Sequence, residues 1–288
     1  MALKNKKYVW ICIAPAMLLI LTFLIYPLIK TIYYSFCSWH NFSQTTEWIG
    51  LENYKRLFSD PVMSVAFRNT AILLVGVILF QVGFALLLAI LTDSAHHCFK
   101  IFRTVYFFPI VISGTAIGLM FTLIYKYEYG LLNFIVSLFG MDKQVWLNTD
   151  TAIYLTIIPV LWQYIGYYFI IFLTGISKIP EDIYESAKLE GITPFQKTIY
   201  ITLPMLKDVV VSVVVLVVSG VFRVFDTIYV ITKGGPMDSS QLLSTYMYKM
   251  AFENYNGGYA SAIAVLMIVL GVALTVIIRK LLRADVQD

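Results

Sequence analysis

Charge is what this sequence has least of. Only 13% of its 288 residues are Asp, Glu, Lys or Arg, 17 acidic against 21 basic, for a formal net charge of +4. A soluble domain carries about 25% charged residues. A chain that is 59% hydrophobic could not cover its own surface in water. The mean hydropathy of +0.79 points the same way. So small and scattered a positive charge offers no footprint for nucleic acid. Cysteine is scarce as well. Cys12, Cys37 and Cys98 are far apart, with neither metal-ligand spacing nor a disulfide framework, and read as three free thiols. His40 stands alone, and His96 and His97 beside Lys100 lack further ligands, so they read as a solvated loop. No phosphate-cradling Gly-x-x-x-x-Gly-Lys-Ser/Thr loop occurs, so the chain does not hydrolyse ATP itself. There is no His-Glu-x-x-His, Ser/His pair or paired aspartate within the apolar runs, which speaks against an intramembrane enzyme. What remains is a polytopic integral membrane protein.

Crossing a bilayer core of about 30 Å takes roughly 20 helical residues. Six stretches qualify, at residues 8–36, 69–91, 102–124, 152–173, 209–230 and 259–278. They are too long for barrel strands and do not alternate, so all of them read as helices. Lys4, Lys6 and Lys7 before the first run imitate a signal peptide. No small-residue cleavage site follows, and the run continues past Pro15 to Pro27, so it reads as an uncleaved first span. Lys and Arg in the short loops set the orientation. With both termini cytoplasmic, twelve basic residues fall inside and six outside. Trp39, Trp48, Tyr125, Tyr127, Tyr129 and Trp146 then form an outer aromatic belt, opposite Tyr8 and Trp10. In the outer segment 37–67, Leu51, Tyr54, Leu57 and Phe58 recur at helical spacing beside Glu52, Lys55 and Arg56, the pattern of a surface amphipathic helix. Residues 131–139 offer a second.

The inner loop at about 176–206 is too long for a plain connection. Pro180, Glu181 and Asp182 start a helix, with acids where the macrodipole favours them. Gly191 ends it, and Pro194 follows shortly. A second helix runs to Leu203 and Pro204. Spacing alone leaves two readings open: a hairpin that only joins two spans, or a helix-turn-helix whose small residues admit a partner.

Glu185-Ser186-Ala187, then Gly191, Ile201 and Leu203-Pro204, resembles the EAA loop of ABC-importer permeases, with Ser186 in place of the usual Ala. Tyr129-Gly130-Leu131-Leu132-Asn133, Phe225-Asp226, Ile228-Tyr229-Val230, Gly234-Gly235-Pro236 and Gly258-Tyr259-Ala260-Ser261-Ala262 resemble the carbohydrate (maltose-type) group, in particular the first of its two paired permeases in a six-span form. The resemblance covers nearly the whole chain. It implies a single all-α membrane domain over residues 1–288 with the type I importer permease fold and a cytoplasmic coupling helix. It also implies a second homologous permease, two ATPase subunits that bind the ATP and Mg, an extracellular solute-binding protein docking on the outer loops, and a sugar as cargo. Glu185, Ser186, Ala187, Gly191, Ile201, Leu203 and Pro204 would meet the ATPase.

Two features inside the spans bear on the cargo. Arg223 and Asp226 sit deep in span five, three residues apart and so on neighbouring positions of one helix. They read either as a mutual pair or as an Arg223 facing the path, which would suit an acidic or heavily hydroxylated solute. Tyr164, Tyr167 and Tyr168 share a helix face in span four, beside Trp162 and Gln163. That patch is either ordinary packing or a surface for sugar rings and hydroxyls. The resemblance implies that spans four and five hold the substrate, which singles out Tyr164, Tyr167, Gly220, Val221, Arg223 and Val224. Pro109 and Pro159 are expected to kink spans three and four. An ion-coupled secondary transporter is the rival class, but it would rest on Asp226 alone and no inverted repeat is evident.

Overall fold

The computed structural model describes residues 6–40, 45–93 and 99–283. Lys4, His96, His97 and Cys98 lie outside them. Helices dominate the described residues, as the apolar runs require. With no water to satisfy N–H and C=O groups, a lipid-facing segment must close its hydrogen bonds within itself. Four unbroken helices are long and apolar enough to cross a membrane, and six spans result if each of two bent helix pairs counts as one.

The chain divides into two compact units. The first holds Met1–Asp60 and Met247–Val269. Helix α1 (Lys6–Ile20) passes through a π turn at Leu21–Ile25 into α2 (Tyr26–Ser35). Its apolar side chains stay uncovered, Phe23 being 74% exposed, which suits lipid and not water. A short antiparallel ribbon follows, β1 (Cys37–Ser38) against β2 (Glu47–Trp48). Cys37 is a buried free thiol. Helix α3 (Glu52–Ser59) is the amphipathic helix expected here. Its buried Asn53 donates through Nδ2 to the carbonyls of Ser35 and Cys37, each at 3.0 Å, which ties α3 to the end of α2. Arg56 lies 4.2 Å from the centre of the Tyr259 ring, and the Tyr259 hydroxyl donates to Asp60 at 2.8 Å.

The second unit holds Pro61–Tyr246 and Leu270–Asp288. Helices α4 (Pro61–Gly76) and α5 (Gly83–Asp93) join through a π turn into one 33-residue helix. Helix α6 (Phe99–Val111) and α7 (Gly114–Ile124) follow, then the short α8 (Leu131–Leu138) that was expected at 131–139. Asn133 on α8 gathers its surrounding loop. Its amide donates to the carbonyls of Tyr127 and Gln144, and its oxygen accepts from the Gln144 N–H and the Trp146 indole. Helix α9 (Ala152–Ile176) is the hub, packed against α4, α5, α6 and α14 around buried Leu73, Val77, Phe169, Phe172 and Val217. Then come α10 (Glu181–Leu189), α11 (Pro194–Lys197), a π turn at Thr198–Thr202, α12 (Leu203–Met205) and α13 (Lys207–Val221). The valines of α13 would favour a strand in water. A helix is what closes their backbone bonds in lipid. Helices α14 (Asp226–Thr232), α15 (Leu243–Tyr248) and α16 (Gly257–Arg283) complete the chain.

The structure corrects two expectations. Span three, where a kink at Pro109 was expected, breaks into two helices just beyond it: Pro109 lies inside α6, and α6 and α7 meet at 95°. Ser113 caps the second part, its side chain accepting from the Ala116 N–H at 3.2 Å. Span five does not run to residue 230. Helix α13 stops at Val221, and α14 begins afresh at Asp226. Arg223 and Asp226 therefore do not share a helix face, and among the described residues no ion pair joins them. Pro159 lies within α9, which stays helical through it. Proline lacks an N–H, so the carbonyl four residues back loses its partner. That carbonyl, on Leu155, instead accepts the Tyr125 hydroxyl at 2.9 Å.

Candidate functional site

Two regions of the second unit carry the residues singled out from sequence. The first is a cavity of about 490 Å³ inside the helical bundle. Such a volume lies within the roughly 300–1,000 Å³ of small-molecule sites. Tyr164, Tyr167, Gly220, Val221, Arg223 and Val224 all line it. Helix α9 supplies the tyrosines, because residues 164, 167 and 168 recur at helical spacing. Tyr167 and Tyr168 meet edge to face with ring centres 5.2 Å apart. Helix α13 supplies Gly220 and Val221, and the break after it presents Arg223 and Val224. At Gly220 the wall has room: a Cβ there would meet nothing nearer than the Tyr168 hydroxyl, at 4.0 Å.

The structure adds Gln81, Tyr168 and Asp226 to this lining. Gln81 is buried and donates both amide hydrogens to α9, to the carbonyls of Val160 and Leu161 at 3.0 and 2.8 Å. Only its oxygen is left for a ligand. Asp226 heads α14 beside Gly114, where a Cβ would come within 3.3 Å of the Asp226 Cβ. Gln163 plays a different part from the one its place in the aromatic patch suggested. It is buried, and its amide donates to the carbonyl of Ile112 at 3.0 Å, satisfying the broken span three. Gly166 lets α6 approach α9 there: an added Cβ would sit 1.7 Å from the Tyr106 carbonyl oxygen.

The second region is the loop at 176–206. Helix α10 ends in a Schellman motif. The Gly191 N–H bonds the Lys188 carbonyl and the Ile192 N–H bonds the Ala187 carbonyl, each at 3.1 Å. Gly191 takes φ +75°, and nothing lies within 4 Å of a Cβ added to it. Thr193 and Gln196 close a reciprocal capping box that starts α11. The inner side of α10 is set by Tyr184 and Ala187, one turn apart. Ala187 is buried, so its small size serves this chain's own packing, whereas Glu185 and Ser186 are exposed. Ile201 and Leu203 are half-buried and Pro204 is exposed. The Tyr184 hydroxyl meets Thr202 at 3.2 Å, and the Lys197 ammonium sits 4.5 Å from the Tyr184 ring centre. Burial pushes the Tyr184 phenol above its ordinary value, opposed by the Thr202 hydrogen bond and aided by Asp93. The loop also leaves large apolar groups bare: Leu189, Phe195 and Tyr200 are exposed.

Helices broken inside a bundle, a polar cavity at the breaks and an ordered loop with bare apolar groups define a membrane transport subunit. Residues 98–287 match the family described as binding-protein-dependent transport system inner membrane component, and the chain belongs to that family. A probable ABC transporter permease protein of Bacillus subtilis strain 168, YurN, is 37% identical, covering 99% of each chain. The arabinooligosaccharides transport system permease protein AraP of the same strain is 30% identical over 96% of this chain and 89% of its own. A crystal structure of a bacterial alginate ABC transporter in complex with its alginate pentasaccharide-bound periplasmic protein contains a chain of the same fold. It has a TM-score of 0.87 at 22% identity, over 99% of this chain and 96% of that one.

Proposed function

We propose that this chain forms half of the translocation pore of an ATP-driven sugar or oligosaccharide importer. The observation that carries the reading is the cavity. Six residues picked as a substrate path line one space, and three tyrosines, a glutamine oxygen and two charged groups surround it. Ring faces cover the C–H faces of a sugar, and hydroxyl, carboxylate and guanidinium groups bond its hydroxyls. The named substrate of the arabinooligosaccharide relative supports the same class. A second homologous permease would supply the other half of the pore, and a solute-binding protein would deliver the sugar. Two ATPase subunits would bind ATP and Mg and dock on the loop at 176–206. There Glu185, Ser186, Gly191 and Pro204 face outward with Leu189, Phe195 and Tyr200, while Ala187, Ile201 and Leu203 shape the docking surface from beneath. The excess of Lys and Arg on that side favours cytoplasmic termini. The test is sugar uptake by the complete transporter carrying Tyr164→Ala with Tyr167→Ala. Uptake is expected to fall at least about tenfold, the scale of losing one to two well-placed hydrogen bonds. Normal uptake by an assembled double variant would sink the assignment.

A further inference from the structure

We infer that Arg223 and Asp226 act together as a charge filter, making the cavity select uncharged, hydroxyl-rich solutes and reject acidic ones. This rests on the cavity being the sugar site proposed above. Arg223 considered alone suited an acidic or a heavily hydroxylated cargo alike. The structure changes its setting. The break between α13 and α14 takes the two residues off a common helix, and both line the same cavity. Both side chains are exposed within it, and among the described residues neither makes an ion pair or side-chain hydrogen bond. The cavity wall thus carries one guanidinium and one carboxylate whose hydrogen-bonding capacity is free.

Each class of solute meets that wall differently. A neutral polyol gives hydroxyl donors to Asp226 and hydroxyl acceptors to Arg223, so both charges are solvated by the cargo. Neither group is then left buried and unpaired. A uronate gains attraction from Arg223 but brings its own carboxylate into the same small space as Asp226. It must shed water from a second anion there, and like charges sharing one partly solvated site repel. The tyrosines add ring edges, faces and hydroxyls but no charge to offset that cost. Net neutrality of the wall therefore favours a neutral sugar, and Asp226 is the residue that enforces it.

The experiment is equilibrium binding to the purified complete transporter in lipid nanodiscs, without the binding protein, so that only the permease cavity reads the ligand. The probes are a neutral glucose disaccharide and a mannuronate disaccharide. The wild type is expected to prefer the neutral sugar by about tenfold or more, the effect of one unfavourable charge pair in a partly solvated site. Asp226→Asn should reduce that preference about tenfold by leaving Arg223 unopposed, and Arg223→Gln should weaken mannuronate binding further. Equal or tighter mannuronate binding by the wild type overturns the filter, whatever the variants do. So does an unchanged preference in an assembled Asp226→Asn complex. In both cases the sugar site itself stands. Binding of neither disaccharide by an assembled wild-type complex that hydrolyses ATP would instead remove the cavity assignment, and the filter with it.

Discussion

Gly166 and Gly191 are the same residue under opposite constraints. At Gly166 there is no room: a Cβ would lie 1.7 Å from a backbone oxygen of α6. At Gly191 there is nothing but room, and the constraint is a left-handed φ of +75°. The first glycine belongs to the cavity region, where helices are pressed together and the Gln81 amide, the Gln163 amide and the Tyr125 hydroxyl each meet a carbonyl of a neighbouring helix. The second belongs to the loop, where short helices are held by their own caps and apolar groups remain bare. One region spends its sequence on satisfying itself, the other on presenting a shaped surface. Substitutions should therefore act on assembly and folding in the first and on partner contact in the second.

The largest effect is expected at Gly166. Valine there must drive α6 off α9, and overpacking of that kind costs roughly 3 kcal/mol or more. Thermal melting of the purified transporter should show a large drop, with little folded protein recovered. A Gly166→Val protein that melts like the wild type would show that the close approach is not what holds α6.

Next comes Gln163. Replacement by leucine keeps the volume but leaves the Ile112 carbonyl unpaired at the break of span three. An orphaned buried carbonyl costs about 1–3 kcal/mol. Melting should fall by less than for Gly166→Val, and equality with the wild type would mean that water or lipid headgroups reach the break. Tyr125 offers a finer test. Tyr125→Phe removes the donor to the Leu155 carbonyl and should cost about 1 kcal/mol or less, as interhelical bonds in membranes do. In a Pro159→Ala background α9 supplies its own N–H, so the same change should cost nearly nothing. That non-additivity, read from a double-mutant cycle, is the signature. Additive losses would mean that Tyr125 acts elsewhere.

These sites also mark how far the amino-acid sequence can be read. The spans were legible because twenty apolar residues in a row have one solution in lipid. The tyrosine face was legible because it repeats at helical spacing within one element. The breaks were not located, since the apolar run carries through span three and Arg223 and Asp226 read as lying within one continuous span five. At span three the local signs are Pro109, read as a kink, and Ser113-Gly114, a cap residue followed by glycine inside an apolar run. Gln81 escaped, and Asp226 reads only as the partner of Arg223 or an ion site, because their place in the cavity depends on which helices meet, and no spacing within one segment encodes that. Gly166 sits among aromatics with nothing beside it to announce a close approach. The loop was the most legible region of all. Its helix starts, stop and restart are local chemistry, although the capping box at Thr193 and Gln196 went unread.

The sharpest test of the contrast lies at Gly191. Alanine in a left-handed turn costs about 1 kcal/mol, and asparagine, which tolerates that conformation, costs less. Because the space around residue 191 is open, tryptophan should melt no lower than another non-glycine residue such as alanine. Any extra penalty of Trp over Ala must then come from something outside this chain that occupies the space. Uptake coupled to ATP hydrolysis should fall in the order Gly, Asn, Ala, Trp, with the last step large while the melting temperature of the isolated permease pair stays level. If Trp and Ala support equal uptake, no partner packs against the turn, and the loop is only a connection between two spans. If Trp lowers the melting temperature as well, the space is filled from within, and the distinction drawn between the two glycines fails.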